Sequence, residues 1–126
     1  MSSERDLMKL LAGLELIRHD GVWEFVTGTQ EDVPGSVMKF KEREGWTHIV
    51  SAPRSAPEDR RFVWLELAVH SDLNAVGFLA AVSTALAVAD VPCNAISAFH
   101  HDHIFVPESK AEAALEALEK LSQGAT

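Results

Sequence analysis

One cysteine, Cys93, stands in the 126 residues. A lone thiol makes no intramolecular disulfide, and no Cys-x-x-Cys pair is present to hold zinc. The compartment this predicts is a reducing cytoplasm. Basic residues are also scarce: 11 Lys and Arg face 19 Asp and Glu, for a formal net charge of −8. Nucleic-acid phosphates and anionic bilayers both need a basic surface, so neither is an expected partner. Long apolar runs are missing too. The longest, Ala75–Ala89, contains Ser83 and Thr84 and is flanked by Asp72 and Asp90. It falls short of the roughly 20 residues that span a bilayer. The N-terminal stretch carries Glu4, Asp6 and Glu15 without an uninterrupted apolar segment, unlike a secretory signal. No glycine-rich phosphate loop, dinucleotide fingerprint or Walker motif is present, and no cofactor is expected.

What is present is ordinary for a globular chain, 47% hydrophobic and 24% charged. Its length allows one domain, or two small units sharing a core. Leu7, Leu10 and Leu11 predict a short helix over Glu4–Ala12, stopped at Gly13. Leu14–Arg18 and Val22–Thr27 read as strands around a His19-Asp20-Gly21 turn. Val37–Lys41 and Trp46–Val50 read as a second hairpin with Glu42–Gly45 at its tip. Ser51–Arg61, with two prolines and several charges, reads as a linker between halves 1–60 and 61–126.

In the second half, Val63, Leu65, Leu67 and Val69 alternate with Trp64, Glu66 and Ala68, the pattern of a strand. Ala75–Ala89 predicts a helix that is apolar all round and therefore sandwiched, inside the domain or between subunits of a homo-oligomer. Cys93–Phe99 alternates again, His100–His103 reads as a polar turn, and Ile104–Val106 as a short strand. The last helix carries Ala111, Ala114, Leu115, Leu118 and Leu121 at helical spacing. From residue 61 to 122 the order is β-α-β-β-α. One further strand completes a ferredoxin-like βαββαβ unit. The first half must supply it, through Leu14–Arg18 or Val22–Thr27, or another subunit must.

Two polar concentrations are candidates for chemistry. One is His100-His101-Asp102-His103 followed by Glu108. On an extended chain His101 and His103 share a face, and with Glu108 they read His-x-His-x4-Glu. This spacing resembles half of the cupin metal motif and supports an alternative reading as a metal-dependent enzyme or metal-binding protein. Against it, the strong helical segments do not suit an all-β jelly roll, and no later Gly-Pro-x-x-x-His follows. The bland reading is a polar hairpin turn with Asp102 bonded to backbone amides, and a third reading is a binding turn in which His101, Asp102 and His103 hold a ligand. The other concentration is His70-Ser71-Asp72-Leu73-Asn74, between a buried strand and a helix start. Free N–H groups there favour a carboxylate or phosphate, and Gly77 lets a ligand or a neighbouring backbone come close. Cys93 reads as a buried structural thiol, and Trp23, Trp46 and Trp64 as core or interface aromatics.

The turn from His70 to Leu79 resembles the ACT domain family, whose units are βαββαβ with a polar turn ending in Gly after the first strand. Asn74 and Val76 stand where the common ACT pattern has Asp and Pro. Over roughly residues 10 to 121 the chain resembles small bacterial stand-alone proteins built from two ACT-like units. Phe40–Thr47, Val69–Ser71 with Ala75–Gly77, and His101–Pro107 carry that likeness. The resemblance implies an α+β, ferredoxin-like ACT-type fold of two such units, the N-terminal one incomplete. It also implies a regulatory protein that senses a small molecule, an amino acid foremost, without catalysis. Ligand contacts carried over are Ser71, Asp72, Asn74, Val76, Gly77 and Asn94, and His70 belongs to the same turn. His101, Asp102 and His103 match the subgroup's own signature. The expected pose sets a ligand carboxylate at the helix start near Gly77, with Asp72 or Asp102 holding its ammonium group.

Overall fold

The computed structural model describes residues 4–125, so the outermost residues of the two expected halves lie outside it. Its elements run α1 (Leu7–Ala12), β1 (Leu16–Arg18), β2 (Trp23–Gly28), β3 (Met38–Lys41), β4 (Trp46–Ser51), β5 (Phe62–Leu67), α2 (Phe78–Val88), β6 (Asn94–Ser97), β7 (Asp102–Pro107) and α3 (Ala111–Gly124). All seven strands join one antiparallel sheet in the order β3-β4-β2-β5-β7-β6, with β1 also on β5.

The side-chain alternation of β5 organises the fold. Val63, Leu65 and Leu67 are fully buried and point, with Ile104 and Val106 of β7, toward the helices. Val82 and Leu86 of α2, Ala114 and Leu118 of α3, and Leu10 and Leu11 of α1 close that core. Each buried Leu or Val contributes about 1.5–3 kcal/mol relative to exposure. The opposite face carries Phe62, Trp64 and Glu66, with Pro107, Phe105 and His103 as their respective cross-strand partners. No helix covers it. The sheet instead curls, so that Val37 and Met38 come to line a recess with Trp64, Ile96, His103 and Phe105.

The extra strand beside β5 comes from the first half. β7 pairs along the whole of β5 on one side. On the other side β1 takes Leu65–Leu67, and β2 meets β5 at Trp23–Phe62. Both expected candidates therefore share that edge. The β3–β4 hairpin also forms as expected, and Gly45 is required in it. Its φ is +146°, and a Cβ there would lie 2.6 Å from the Gly28 carbonyl oxygen. Ser51–Arg61 is more than a passive linker. Ala52 and Ala56 are buried against Val22, and the Ala52 N–H donates to the Val22 carbonyl.

Three expectations change. The helix after β5 starts at Phe78, three residues later than the apolar run suggests, because Gly77 takes φ +94° and forms its N-cap. That conformation favours glycine, so Gly77 terminates a turn and costs the helix interior nothing. β7 starts at Asp102 and absorbs Asp102 and His103 from the expected turn. Finally, α2 is not sandwiched within the chain. Phe78, Val82 and Leu86 face the core, whereas Ala80, Thr84, Ala87 and Val88 are exposed. No helix of the described residues is long and apolar enough to cross a membrane.

Candidate functional site

The chain leaving β5 is shaped by its own polar groups. Asp72 accepts from the Asn74 N–H at 2.8 Å, and the Ala75 N–H donates to the Asp72 carbonyl, which turns the segment toward α2. The N-terminal segment straps this turn. The Glu4 N–H donates to the His70 carbonyl, the Asp72 N–H donates to the Glu4 carbonyl, and Arg5 Nε lies 3.2 Å from Asp72 Oδ1. Between this turn and the β6–β7 hairpin opens a cleft of about 400 Å³. His70–Asn74 form one wall, and Phe99 and His100 the other. Leu73 and Phe99 are 64% and 76% exposed, so the cleft offers apolar surface beside its imidazoles.

The expected site residues distribute unevenly around this cleft. His70, Ser71, Asp72 and Asn74 line it. Asp102 lies behind Ser71, 6% exposed, and accepts from Ser71 Oγ at 3.2 Å. Val76 is 84% exposed and outside the cleft wall. Gly77 packs against Leu7, whose Cδ2 would be 3.5 Å from a Cβ at that position. Its neighbour is thus a side chain of α1. Asn94 sits at the far end of β6, where its side chain donates to the Phe105 carbonyl.

His101 and His103 turn to the other face of the sheet, where they meet Glu66. Glu66 Oε1 is 2.9 Å from His19 Nε2, and Oε2 is 3.6 Å from His101 Nδ1. The His19 ring stacks on Trp64 with centroids 3.6 Å apart. The Trp64 indole N–H donates to His103 Nδ1 at 3.0 Å, which puts the proton of a neutral His103 on Nε2. The His19 hydrogen bond holds the Glu66 carboxyl below the usual range, helped by the charges of His101 and His103 and opposed by burial. Burial holds His103 below the usual imidazole range, and Glu66 partly offsets this. Burial also pushes the Cys93 thiol up, as suits an inert thiol packed against the core.

The metal alternative is not assembled. Glu108 lies five residues past His103, about 16 Å along a strand. It is held by Arg61 Nε at 2.8 Å. Among the described residues no group of three His, Cys, Asp or Glu side chains could hold a metal ion.

Comparison with known proteins agrees with this architecture. A family profile described as ACT domain matches residues 60–120, and a second ACT domain profile matches residues 2–58. A Vibrio cholerae protein of unknown function, described as a possible transport protein, is 32% identical in sequence. The match covers 92% of this chain and 95% of that one, with a TM-score of 0.75. The chain belongs to the ACT domain family. This ACT protein also shares its fold with an Agrobacterium tumefaciens protein (TM-score 0.69, 17% identity, 86% and 89% of the two chains). A third likeness is the regulatory subunit of aspartate kinase from Thermus flavus (TM-score 0.60, 13% identity, 86% and 96%). No curated protein matches the chain. Membership in the ACT family supports a regulatory, ligand-binding role.

Sequence reasoning about this ACT protein passed over three contributors, Phe99 in the cleft and Glu66 and His19 behind it, and it named His100 only within the polar His100–His103 segment, apart from the 70–74 turn. Glu66 had a visible signal, being a carboxylate on an otherwise apolar and aromatic strand. His19 had none, because only the fold brings it 47 residues along the chain to Glu66.

Proposed function

We propose that this ACT protein is a non-catalytic sensor whose cleft at His70–Asn74, Phe99 and His100 binds an amino acid. The observation that carries this reading is the position of the cleft. It lies at the turn after the first strand of the C-terminal unit, where the ACT resemblance implies a ligand. The aspartate kinase regulatory subunit that shares the fold adds support for an amino-acid-linked role. The pose differs from the one expected at Gly77. Leu7 covers that glycine, and Asp102 is buried on Ser71. A bound amino acid would instead meet the His70 and His100 rings with its polar end, and Leu73 and Phe99 with its side chain. Occupancy would reach the first half directly, because Glu4 and Arg5 are bonded to the same turn.

A thermal-shift screen of the twenty amino acids tests the reading. A ligand at a hundred times its Kd stabilises the folded state by about 2.7 kcal/mol, a clear rise in Tm. The rise is expected for at least one compound and is expected to shrink in Phe99→Ser. A flat response to every compound at saturating concentration would overturn the assignment.

A further inference from the structure

Three imidazoles cluster beside the cleft: His70 and His100 line its walls, and His101 lies behind them, toward Glu66. The His70 ring centroid is 4.8 Å from that of His101 and 6.4 Å from that of His100, and His100 is 6.4 Å from His101. They come from two separate loops, the exit of β5 and the β6–β7 hairpin. The carboxylates around them already have partners. Asp72 is held by Arg5 and the Asn74 N–H. Asp102 is buried under Ser71. Glu66 binds His19 through one oxygen and faces His101 with the other. Glu4, on the strap, lies 3.8 Å from Lys9. His103 is turned to Trp64. The polar side chains of the cleft wall thus include the His70 and His100 imidazoles, each able to offer an N–H donor to an anion.

We infer that the His70 and His100 pair on the cleft walls, backed by His101, is an anion site that takes the carboxylate of the ligand, and that binding there is coupled to proton uptake. This rests on the sensor reading above and names the chemistry of its ligand: a small organic acid with an apolar side chain, its carboxylate on the imidazoles and its side chain on Leu73 and Phe99. Glu66, clamped by His19, stands behind His101 and orients it. Reciprocity follows: a ligand that binds the protonated pair more tightly also raises the fraction of the pair that is protonated.

Two measurements test it. The first is calorimetric titration of whichever amino acid gives the largest thermal shift, and of its α-carboxamide, at pH 6 and pH 8. Binding of the acid is expected to be about tenfold tighter at pH 6, within the range usual for coupled sites. The amide is expected to lose that preference, and His70→Asn and His100→Asn to flatten it. The second is NMR of the imidazole side chains with inorganic phosphate. Resonances of His70 and His100 are expected to move, while buried His48 stays fixed. An amino acid that binds equally at both pH values and equally as its amide overturns the anion site and leaves the sensor reading intact. Phosphate shifts at His70 and His100 without any amino-acid binding support the anion site and overturn the amino-acid reading. No response in either measurement overturns both.

Discussion

The two ends of the sheet are held down by different physics. At the β5–β7 end, three helices bury Val63, Leu65, Leu67, Ile104 and Val106, and the core is apolar throughout. At the β2–β4–β3 end no α-helix of the described residues packs on the sheet. There the corresponding face is covered by the loop between β2 and β3, and the most buried side chain on it is His48. Its Nδ1 lies 2.8 Å from Ser36 Oγ, and its Nε2 donates to the Gln30 carbonyl at 2.9 Å. Ser36 Oγ donates onward to the Met38 carbonyl. A loop lacking an apolar face can still be fixed on a sheet if a buried polar group satisfies its backbone. The apolar residues of this end, Trp23 and Phe25, turn instead to Trp64, Phe62 and Phe105 of the other end. These aromatics thus pack the first half against the second, beside the small Val22–Ala52–Ala56 cluster of its own.

That contrast sets the order of expected effects. Leu65→Ala removes a fully buried side chain from between the helices and the centre of β5. A loss of about 2–5 kcal/mol is expected, measured by urea denaturation, with the spread set by how far the site collapses. His48→Ala leaves the Gln30 carbonyl and Ser36 without their partner, for an expected loss of about 1–3 kcal/mol. Its signature is local. Hydrogen exchange is expected to quicken at Ser36 and Val37, whose N–H groups bond to Val33 and Ile49, before it quickens in β5. A His48→Ala variant that loses as much as Leu65→Ala, and unfolds everywhere at once, would erase the distinction between the two ends.

The same contrast explains what could be read from the sequence. The alternation of Val63, Leu65 and Leu67, the helical spacing of Ala111 to Leu121 and the strand supplied to β5 were legible, because each rests on a short-range period or on a missing partner. The role of Gly77 was half legible. Its need for close approach was visible, but the approaching group is Leu7, a contact made 70 residues away along the chain. Asp102 and His103 read as a turn because both are polar. They are strand residues because Ser71 and Trp64, on neighbouring chain, offer each of them a partner. Local composition cannot report a hydrogen bond that depends on register. The cleft falls in the same class, since one wall follows β5 and the other is the β6–β7 hairpin. For that reason the 70–74 turn and the His100–His103 segment could each be nominated, while Phe99 and the meeting of the two walls could not.

Glu66 sits where the two ends join, and it gives the smallest and most specific effect. Its folded-state pKa lies below the ordinary value of 4.5, through the hydrogen bond to His19 first and the His101 and His103 charges second. A depressed carboxylate adds stability that is complete above the ordinary value and is lost as the pH falls through the folded value. Glu66→Gln removes that contribution, keeps the shape, and leaves His19 stacked on Trp64. The expected cost at pH 7 is about 1 kcal/mol or less, because the pair is partly open to water. The decisive observation is the profile. Below pH 5 the gap between wild type and Glu66→Gln is expected to close, while the gap between wild type and Leu65→Ala stays constant. A gap that persists into acid would mean that Glu66 acts by packing alone, and the link between β1 and β5 would then rest on backbone pairing and the stacked ring instead of charge.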